Sequence, residues 1–381
     1  MRKVFKYLDK PLLIVTVILF LLGLVMVFSA SNVTAYMSYV VSPYYYFVRQ
    51  AIFLIAGLFV FFVMIKMNTK TYGIFSWGLL LILIASLAIL LVIGTAKNKA
   101  VSWFDLGFFS IQPSEFVKVV TIVFLGYYYD TNKKKLTSWG KCLFPIGICG
   151  IVAGLIFMQP DLGTTIIYGL LVFFIFMILP ILPEIKYKTI FVGIGIVGFA
   201  VLSILGAGKG VLLERQMERF DYKRPCDKIL ENGNQVCNCY IAINNGGLMG
   251  VGLGNSTQKY LYLPEPYTDF IFAIIVEELG IVTGIALILM YMFVLYRILL
   301  IGRRSYNNMG AIMCYGVAIY IFLHIAINLL GIMGMMPMTG VPLPFMSYGG
   351  SFTICLIVAL TIVQRVSVET GRTRDRELKG K

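Results

Sequence analysis

The chain has 381 residues, of which 59% are hydrophobic and 13% are charged, and its mean hydropathy is +0.87. Such a composition excludes a soluble globular protein and indicates one that crosses a membrane many times. The formal net charge of +14 follows mainly from basic loops that meet anionic lipid headgroups, so nucleic acid is not an expected partner.

Ten apolar stretches account for most of the chain. A bilayer core about 30 Å thick needs about 20 mostly apolar residues per helix. The first stretch is too long for the apolar part of a cleaved signal peptide, so we expect a retained signal-anchor helix. The sequence therefore predicts one all-α membrane domain, residues 1–381, with ten transmembrane helices. The predicted helices are 11–30, 47–65, 72–93, 111–128, 143–158, 162–179, 189–206, 270–300, 310–335 and 349–363.

Basic residues occur in alternate connections and at both ends of the chain. Because Lys and Arg in short loops stay on the cytoplasmic side, we expect both termini in the cytoplasm and a multi-pass protein of the cell membrane. The segments placed inside are 1–10, 66–70, 133–141, 186–188, 297–304 and the basic tail 364–381.

Two polar insertions come directly before apolar stretches. In the first, Glu115 and Lys118 are three residues apart, so they share a helix face and are able to pair. In the second, Asp161 lies in a tight turn. The competing interpretation of both insertions is helix initiation at the membrane surface, with Pro113 in a first turn.

The predicted outer loop 207–268, between the seventh and eighth helices, is far longer than the others. Compact connections take fewer than about 12 to 15 residues, so this loop is expected to be functional or independently structured. It begins with a charged amphipathic piece that contains Arg215 and Arg219. It ends with a glycine-rich stretch, 244–255, which permits close approach of the backbone to a ligand.

Three of the seven cysteines, Cys226, Cys237 and Cys239, lie in this loop. Their spacing fits no zinc finger, and a disulfide from Cys226 to either of the other two is open. The remaining cysteines are expected to be small apolar fillers.

The segment 260–270 puts two acids among prolines and aromatic residues, directly before an apolar run. An ionisable group at such a place is a candidate for function. Asp269 is able to act as a general base or as a ligand of a divalent cation, Mg²⁺ or Mn²⁺. The alternative is helix capping, by Asp269 or by Thr268. Glu265, which has proline on both sides, has either a local structural role or a substrate contact.

Polar groups also lie deeper in the predicted helices. Glu277, eight residues after Asp269, is expected either to pair with a buried basic residue or to contact substrate. His324 is the only histidine, and we expect it to hydrogen-bond between helices, with Asn328 one turn on as its partner, rather than to bind a metal.

Six sequence blocks, taken together and in order, resemble the SEDS family of bacterial cell-wall proteins, the RodA, FtsW and SpoVE type. The resemblance extends along nearly the whole chain. It includes Leu263-Pro264-Glu265-Pro266-Tyr267-Thr268-Asp269-Phe270 and the glycine-rich stretch. The blocks are 112–115, 159–164, 246–255, 263–272, 277–280 and 337–351.

The resemblance implies a peptidoglycan glycosyltransferase that joins lipid II, an undecaprenyl-pyrophosphate-linked disaccharide pentapeptide, into glycan strands outside the membrane. It implies a class B penicillin-binding protein as partner, with other divisome or elongasome membrane proteins. Asp269 aligns with the aspartate regarded as catalytic, and no organic cofactor is expected. The substrate-binding candidates are Arg215, Arg219, Lys118, Lys259, Glu115, Trp103, Asp161, Glu265, Thr268 and Ser347. Trp103 either stacks on a sugar or anchors the chain at the interface.

The chain departs from the family pattern at several positions. Tyr267 stands where the family usually has His, which excludes an imidazole there, and Ser102 stands where it usually has Arg. The Leu-Pro-Glu-Pro form of the main block is more similar to the division or sporulation branch than to the elongation branch. Two other functions stay open: a flippase for the lipid-linked precursor, and a non-catalytic division scaffold.

Overall fold

The computed structural model of the chain describes residues 2–39, 41–93, 95–97, 100–105, 107, 109–133, 136, 138–206, 225–228, 233–260 and 262–379. Most of these residues are helical. The helices are α1 Arg2–Phe5, α2 Lys10–Tyr39, α3 Tyr45–Met64, α4 Thr69–Ile93, α5 Pro113–Thr131, α6 Trp139–Met158, α7 Leu162–Ile178, α8 Pro183–Gly206, α9 Asn234–Gly246, α10 Ile271–Arg303, α11 Asn308–Ile332 and α12 Gly350–Lys379.

Each of the ten predicted spans coincides with one of these helices. Seven of the described helices, α2, α3, α4, α6, α10, α11 and α12, are long and apolar enough to cross a membrane, while α7 is apolar but shorter. The prediction of an all-α, multi-pass membrane protein is therefore confirmed. The count of ten crossings, which also needs α5, α7 and α8, stays a prediction.

A small antiparallel sheet joins α4 to α5 and was not predicted. Its strands are β1 Thr95–Lys97, β2 Ala100–Asp105 and β3 Ser110–Ile111, in the order β1-β2-β3. Valine, tryptophan and phenylalanine in β2 favour extended backbone. The candidate Trp103 lies in β2, opposite Thr95 of β1.

The last helices form the centre of the bundle. In the most apolar window of α11, 72% of the residues are buried, and in that of α12, 78%, against 11% for α3. Helices that are apolar on all sides belong inside a bundle or in lipid. The apolar surface of α3 is therefore suited to lipid contact, whereas α11 and α12 are enclosed by protein.

Both ends of the described chain meet at one end of the bundle. The Asp9 backbone N–H donates to the Gln364 side chain at 2.9 Å, and that side chain donates back to the Asp9 carbonyl at 3.0 Å. Lys6 lies 3.2 Å from Asp375. The basic tail continues α12 to Lys379, so its described part is helical. This arrangement agrees with an even number of crossings.

The eighth predicted helix is broken rather than continuous. Gly280 in α10 has φ 84° and ψ 165°, so the helix ends and restarts there. The Glu277 and Glu278 carbonyls accept from the Val251 and Gly252 N–H groups at 3.0 Å each. Backbone groups freed by a break inside the membrane need such partners.

Glycines make this contact between backbones possible. A Cβ on Gly246 would lie 2.1 Å from the Val276 carbonyl oxygen, and one on Gly250 would lie 2.3 Å from that of Glu278. The expectation that the glycine-rich stretch approaches a ligand is corrected at these two positions. At these positions the lack of a side chain lets the backbone of the broken helix pack directly against the glycine backbone.

Candidate active site

Asp269 lies in a turn directly before α10. The residue at the N-cap of α10 is Phe270, which makes no side-chain capping bond. The Thr268 hydroxyl donates instead to the Glu265 carbonyl at 2.9 Å. The Thr268 hydroxyl is thus engaged within its own turn and does not cap the helix, while capping by Asp269 stays the alternative prediction. Glu265 has φ 50° and closes this turn through its carbonyl, in agreement with a local structural role.

Three consecutive backbone carbonyls hold the Asp269 segment in place. The Tyr267 carbonyl accepts from the Tyr348 N–H at 2.9 Å. The Thr268 carbonyl accepts from the Ser347 hydroxyl at 2.5 Å, and the Asp269 carbonyl accepts from Asn328 Nδ2 at 2.8 Å. Since each residue of the segment has a donor, the backbone that presents the carboxylate is fixed. Ser347, a predicted substrate-binding residue, here ties two loops together.

Asp269 lines a shallow cleft beside α11. A Cβ added at Gly340, which has φ +70°, would lie 3.4 Å from Asp269 Oδ2. Glycine at this position therefore leaves space in front of the carboxylate. The cleft is lined by Asp269, Ile327, Asn328, Gly331, Met338, Thr339, Gly340 and Val341.

An aromatic cluster supports the back of the segment. The Tyr267 ring is buried, with its centroid 4.3 Å from that of Tyr46 and 5.8 Å from that of Tyr348. Burial raises the pKa of the Tyr348 phenol, while a hydrogen bond with Arg49 opposes this shift. Tyr267 thus fills the usual histidine position of the family with a packed ring.

The Glu115 and Lys118 pair is buried in the bundle. Lys118 Nζ lies 2.8 Å from Glu115 Oε1 and 3.0 Å from His324 Nε2. The other ring nitrogen of His324 lies 2.8 Å from the Tyr320 carbonyl, so the ring donates there and accepts from Lys118. The predicted pairing of Glu115 with Lys118 is confirmed. The expectation that Asn328 is the partner of His324 was wrong, because both ring nitrogens of His324 have other partners, Lys118 and the Tyr320 carbonyl.

Lys259 is also paired inside the protein. Its Nζ lies 3.0 Å from Glu278 Oε1 and 2.6 Å from the Gly254 carbonyl oxygen. For Glu277 we expected either a basic partner or a substrate contact. Its carboxylate accepts from hydroxyl and amide groups of the protein, among them the Thr257 hydroxyl at 2.9 Å. The sequence did not single out Glu278, because two adjacent acids give no sign of which one meets the lysine.

The remaining candidates lie in several places. Asp161 caps α7, since its Oδ1 accepts from the Thr164 N–H at 3.0 Å, which supports the helix-initiation interpretation. Its Oδ2 also accepts from Gln112 at 3.3 Å. Arg215 and Arg219 lie outside the described residues. The open disulfide question is answered by a bond from Cys226 to Cys237, whereas Cys239 is free and buried.

The described polar side chains near Asp269 supply few ligands for a metal ion. In the part of the chain that the structure describes, no three His, Cys, Asp or Glu residues group together as ligands. Among the described residues that line the cleft, Asp269 is the one carboxylate. Mg²⁺ commonly binds through one or two carboxylates together with substrate phosphates and water. A single carboxylate fits a cation whose remaining ligands are phosphate and water oxygens.

Comparisons with known proteins agree with this architecture. The family described as cell cycle protein, of FtsW, RodA and SpoVE, matches residues 10–372. A probable peptidoglycan glycosyltransferase FtsW of Bacillus subtilis (strain 168) is 36% identical, over 100% of this chain and 95% of its own. Stage V sporulation protein E of the same organism is 35% identical, over 95% of this chain and 96% of its own.

Two solved structures share the fold. The rod shape determining protein RodA of Thermus thermophilus superposes with a TM-score of 0.65 at 23% identity, over 94% of this chain and 96% of its own. A chain from work described as the structural coordination of polymerization and crosslinking by a peptidoglycan synthase complex gives a TM-score of 0.74 at 23% identity, over 95% and 98%.

Proposed function

This chain belongs to the family of FtsW, RodA and SpoVE, and from that premise we propose that it is a peptidoglycan glycosyltransferase. It joins lipid II units into glycan strands on the outer face of the cytoplasmic membrane, in cell division or cell shape. The sequence relatives reported above are named FtsW or stage V sporulation protein E, which favours the division or sporulation branch.

The position of Asp269 is the observation that carries this proposal. α12 begins at Gly350, directly after the loop in which Ser347 bonds to the Thr268 carbonyl, and its residue Gln364 contacts Asp9 near the N-terminus. The cleft and the termini therefore lie toward opposite ends of α12. With the basic ends in the cytoplasm, Asp269 faces the outer side, where glycan strands are made.

The reaction needs a base for the acceptor hydroxyl and a leaving lipid pyrophosphate. Asp269 removes the proton of the attacking hydroxyl as its oxygen bonds to the anomeric carbon of the donor sugar, and the pyrophosphate leaves from the opposite face. The fixed carbonyls of residues 267–269 support this role, because a base must be held within hydrogen-bond reach of its proton. In the alternative role, Asp269 would hold a divalent cation that stabilises the charge of the pyrophosphate.

Cations of the protein are the other requirement for pyrophosphate. Lys118 and Lys259 are each paired with a buried carboxylate, at 2.8 and 3.0 Å. Their main role is therefore to stabilise the fold. Arg215 and Arg219 of the outer loop are the proposed pyrophosphate ligands, since a guanidinium binds phosphate through two parallel hydrogen bonds.

The broken α10 raises the flippase alternative, since transporters use discontinuous helices. Here the groups freed at Gly280 are joined to the glycine-rich stretch, for example Ile281 N–H to the Gly247 carbonyl at 3.0 Å. Because these backbone groups are already bonded within the protein, the break supports a fixed site. We further propose a class B penicillin-binding protein as the crosslinking partner, by analogy with the synthase complex that shares the fold.

Reconstitution tests the proposed function. The purified protein and its cognate penicillin-binding protein are incubated with lipid II, and glycan strands are separated by gel electrophoresis. Strands that form with the transpeptidase inhibited are the expected result. Transport of lipid II in proteoliposomes without any strands would instead support the flippase.

A further inference from the structure

A buried acceptor atom beside the Asp269 cleft has no partner. Asn328, from α11, lines the cleft and is 5% exposed. Its Nδ2 donates to the carbonyls of Asp269 and Val341, at 2.8 Å each. Its Oδ1 makes no hydrogen bond with any residue that the structure describes. Buried acceptors are nearly always satisfied, so this one needs an explanation.

The orientation of the Asn328 amide is determined by its neighbours. Both groups that face its nitrogen are carbonyl oxygens, which only accept hydrogen bonds. Turning the amide round would therefore lose two bonds and oppose oxygen to oxygen. Asn328 Oδ1 therefore points away from these two carbonyls.

A short irregular segment, residues 334–340, lies beside the cleft. Its residues Met338, Thr339 and Gly340 line the cleft from the loop between α11 and α12. Gly334 and Gly340, at the two ends of this segment, both have positive φ, of 63° and 70°. Since Asn328 is buried, a sugar that binds it must displace side chains at the edge of the cleft.

We propose that Asn328 binds the acceptor sugar, with Oδ1 accepting a hydrogen bond from a hydroxyl next to the one whose proton Asp269 removes. This inference rests on the proposed function. The attacking hydroxyl has a single proton, and Asp269 takes it. Asn328 Oδ1 therefore needs a different donor, which a neighbouring hydroxyl of the same sugar supplies. Pyranose rings carry hydroxyls on adjacent carbons, which suits two acceptors in one cleft.

Substrates that differ by one hydroxyl test this role. The reconstituted complex is given lipid II, or lipid II in which a hydroxyl next to the attacking one is replaced by hydrogen. The kcat/KM of each is measured as chain growth. We expect the wild type to prefer the full substrate by about tenfold, the size of one net hydrogen bond. Equal use of both substrates by the wild type would overturn the inference, however the variants fold.

Three variants separate binding from support of the fold. Asn328→Leu removes Oδ1 and should reduce the preference to about one. Asn328→Asp keeps an acceptor oxygen and should retain the preference at a lower overall rate. Asn238→Leu is the matched control, because this buried asparagine of α9 donates to the Tyr262 carbonyl at 2.9 Å and does not line the cleft. It should lower thermal stability and keep the preference.

The outcomes distinguish this inference from the proposed function. Absence of glycan from full lipid II would contradict the proposed function itself. Glycan formation by folded Asn328→Leu with the wild-type preference would contradict only the inference. A purely structural residue would lower the use of both substrates by the same factor and leave their ratio unchanged.

Discussion

The ammonium group of Lys259 lies 3.0 Å from Glu278, and neither side chain is exposed by more than 1%. This pair joins the segment that follows the glycine-rich stretch to the broken helix. Glu278 also accepts from the Ser29 hydroxyl of α2 at 2.6 and 2.8 Å, so three parts of the chain meet at one carboxylate.

Replacing Lys259 by Met should destabilise the protein strongly. The change leaves the Glu278 carboxylate buried without its countercharge, which typically costs about 3–5 kcal/mol. Thermal unfolding in detergent measures the effect. Lys259→Met with Glu278→Gln should recover much of it, and Lys133→Met, at an exposed lysine 4.0 Å from Asp130, should cost no more than about 1 kcal/mol. A loss of stability no larger than that of Lys133→Met would contradict the prediction.

Gly280→Ala should prevent correct packing of the outer loop. The new Cβ would lie 2.2 Å from the Leu248 carbonyl oxygen, at a backbone conformation that L side chains rarely adopt. We expect a loss of more than about 3 kcal/mol, seen as a low yield of folded protein in size-exclusion chromatography. Gly154→Ala in α6 is the control, because nothing lies within 4 Å of its added Cβ. Equal yields of the two variants would show that the break at Gly280 is unnecessary.

Reduction should make one thiol reactive on the outer side of the membrane. Cys226 and Cys237 are joined, and of the three cysteines of the loop Cys226 is exposed while Cys237 and Cys239 are buried. On intact cells, a membrane-impermeant reductant followed by an impermeant maleimide should label Cys226 and spare the two buried cysteines. Loss of a disulfide that closes a loop of this size costs about 3 kcal/mol, so Cys226→Ser with Cys237→Ser should lower the unfolding temperature. Labelling that needs permeabilised cells would place the loop inside and refute the predicted orientation.

Asp269→Asn should abolish polymerisation and leave the protein folded. Loss of a general base typically lowers the rate by about 10²- to 10⁴-fold, and Asn has nearly the same size. The assay is strand formation from lipid II, with binding of the penicillin-binding protein as the check on folding. Asp130→Asn, at the far end of α5, is the matched carboxylate control and should keep its activity. A folded Asp269 variant with wild-type rates would end both the base and the metal-ligand proposals.

Arg215→Gln with Arg219→Gln should weaken the use of lipid II far more than it affects folding. Hydrogen bonds to a charged group are worth about 1.5–3 kcal/mol, so kcat/KM should fall by at least tenfold per arginine. The same double change at Arg372 and Arg374, on the basic tail, controls for the lost charge. Unchanged kinetics in the first variant would return both arginines to a solvated surface role.

The sequence by itself determined the helices, their order and the candidate base. Apolar length and loop charge are local properties, and each predicted span coincides with a helix because a backbone in lipid must satisfy its own hydrogen bonds. The block around Asp269 was recognisable for a similar reason, since acids and prolines directly before an apolar run stand out in composition.

Only the tertiary structure decided which polar groups meet. The bond from Asn328 to the Asp269 carbonyl joins residues 59 positions apart, and that from Ser347 to Thr268 joins residues 79 apart. Nor does local sequence show that Lys259 meets Glu278 or that Gly280 breaks its helix. Such pairings depend on how the helices pack, because a buried polar group bonds to the partner that packing brings within reach. The hydropathy of the sequence does not show which partner that is.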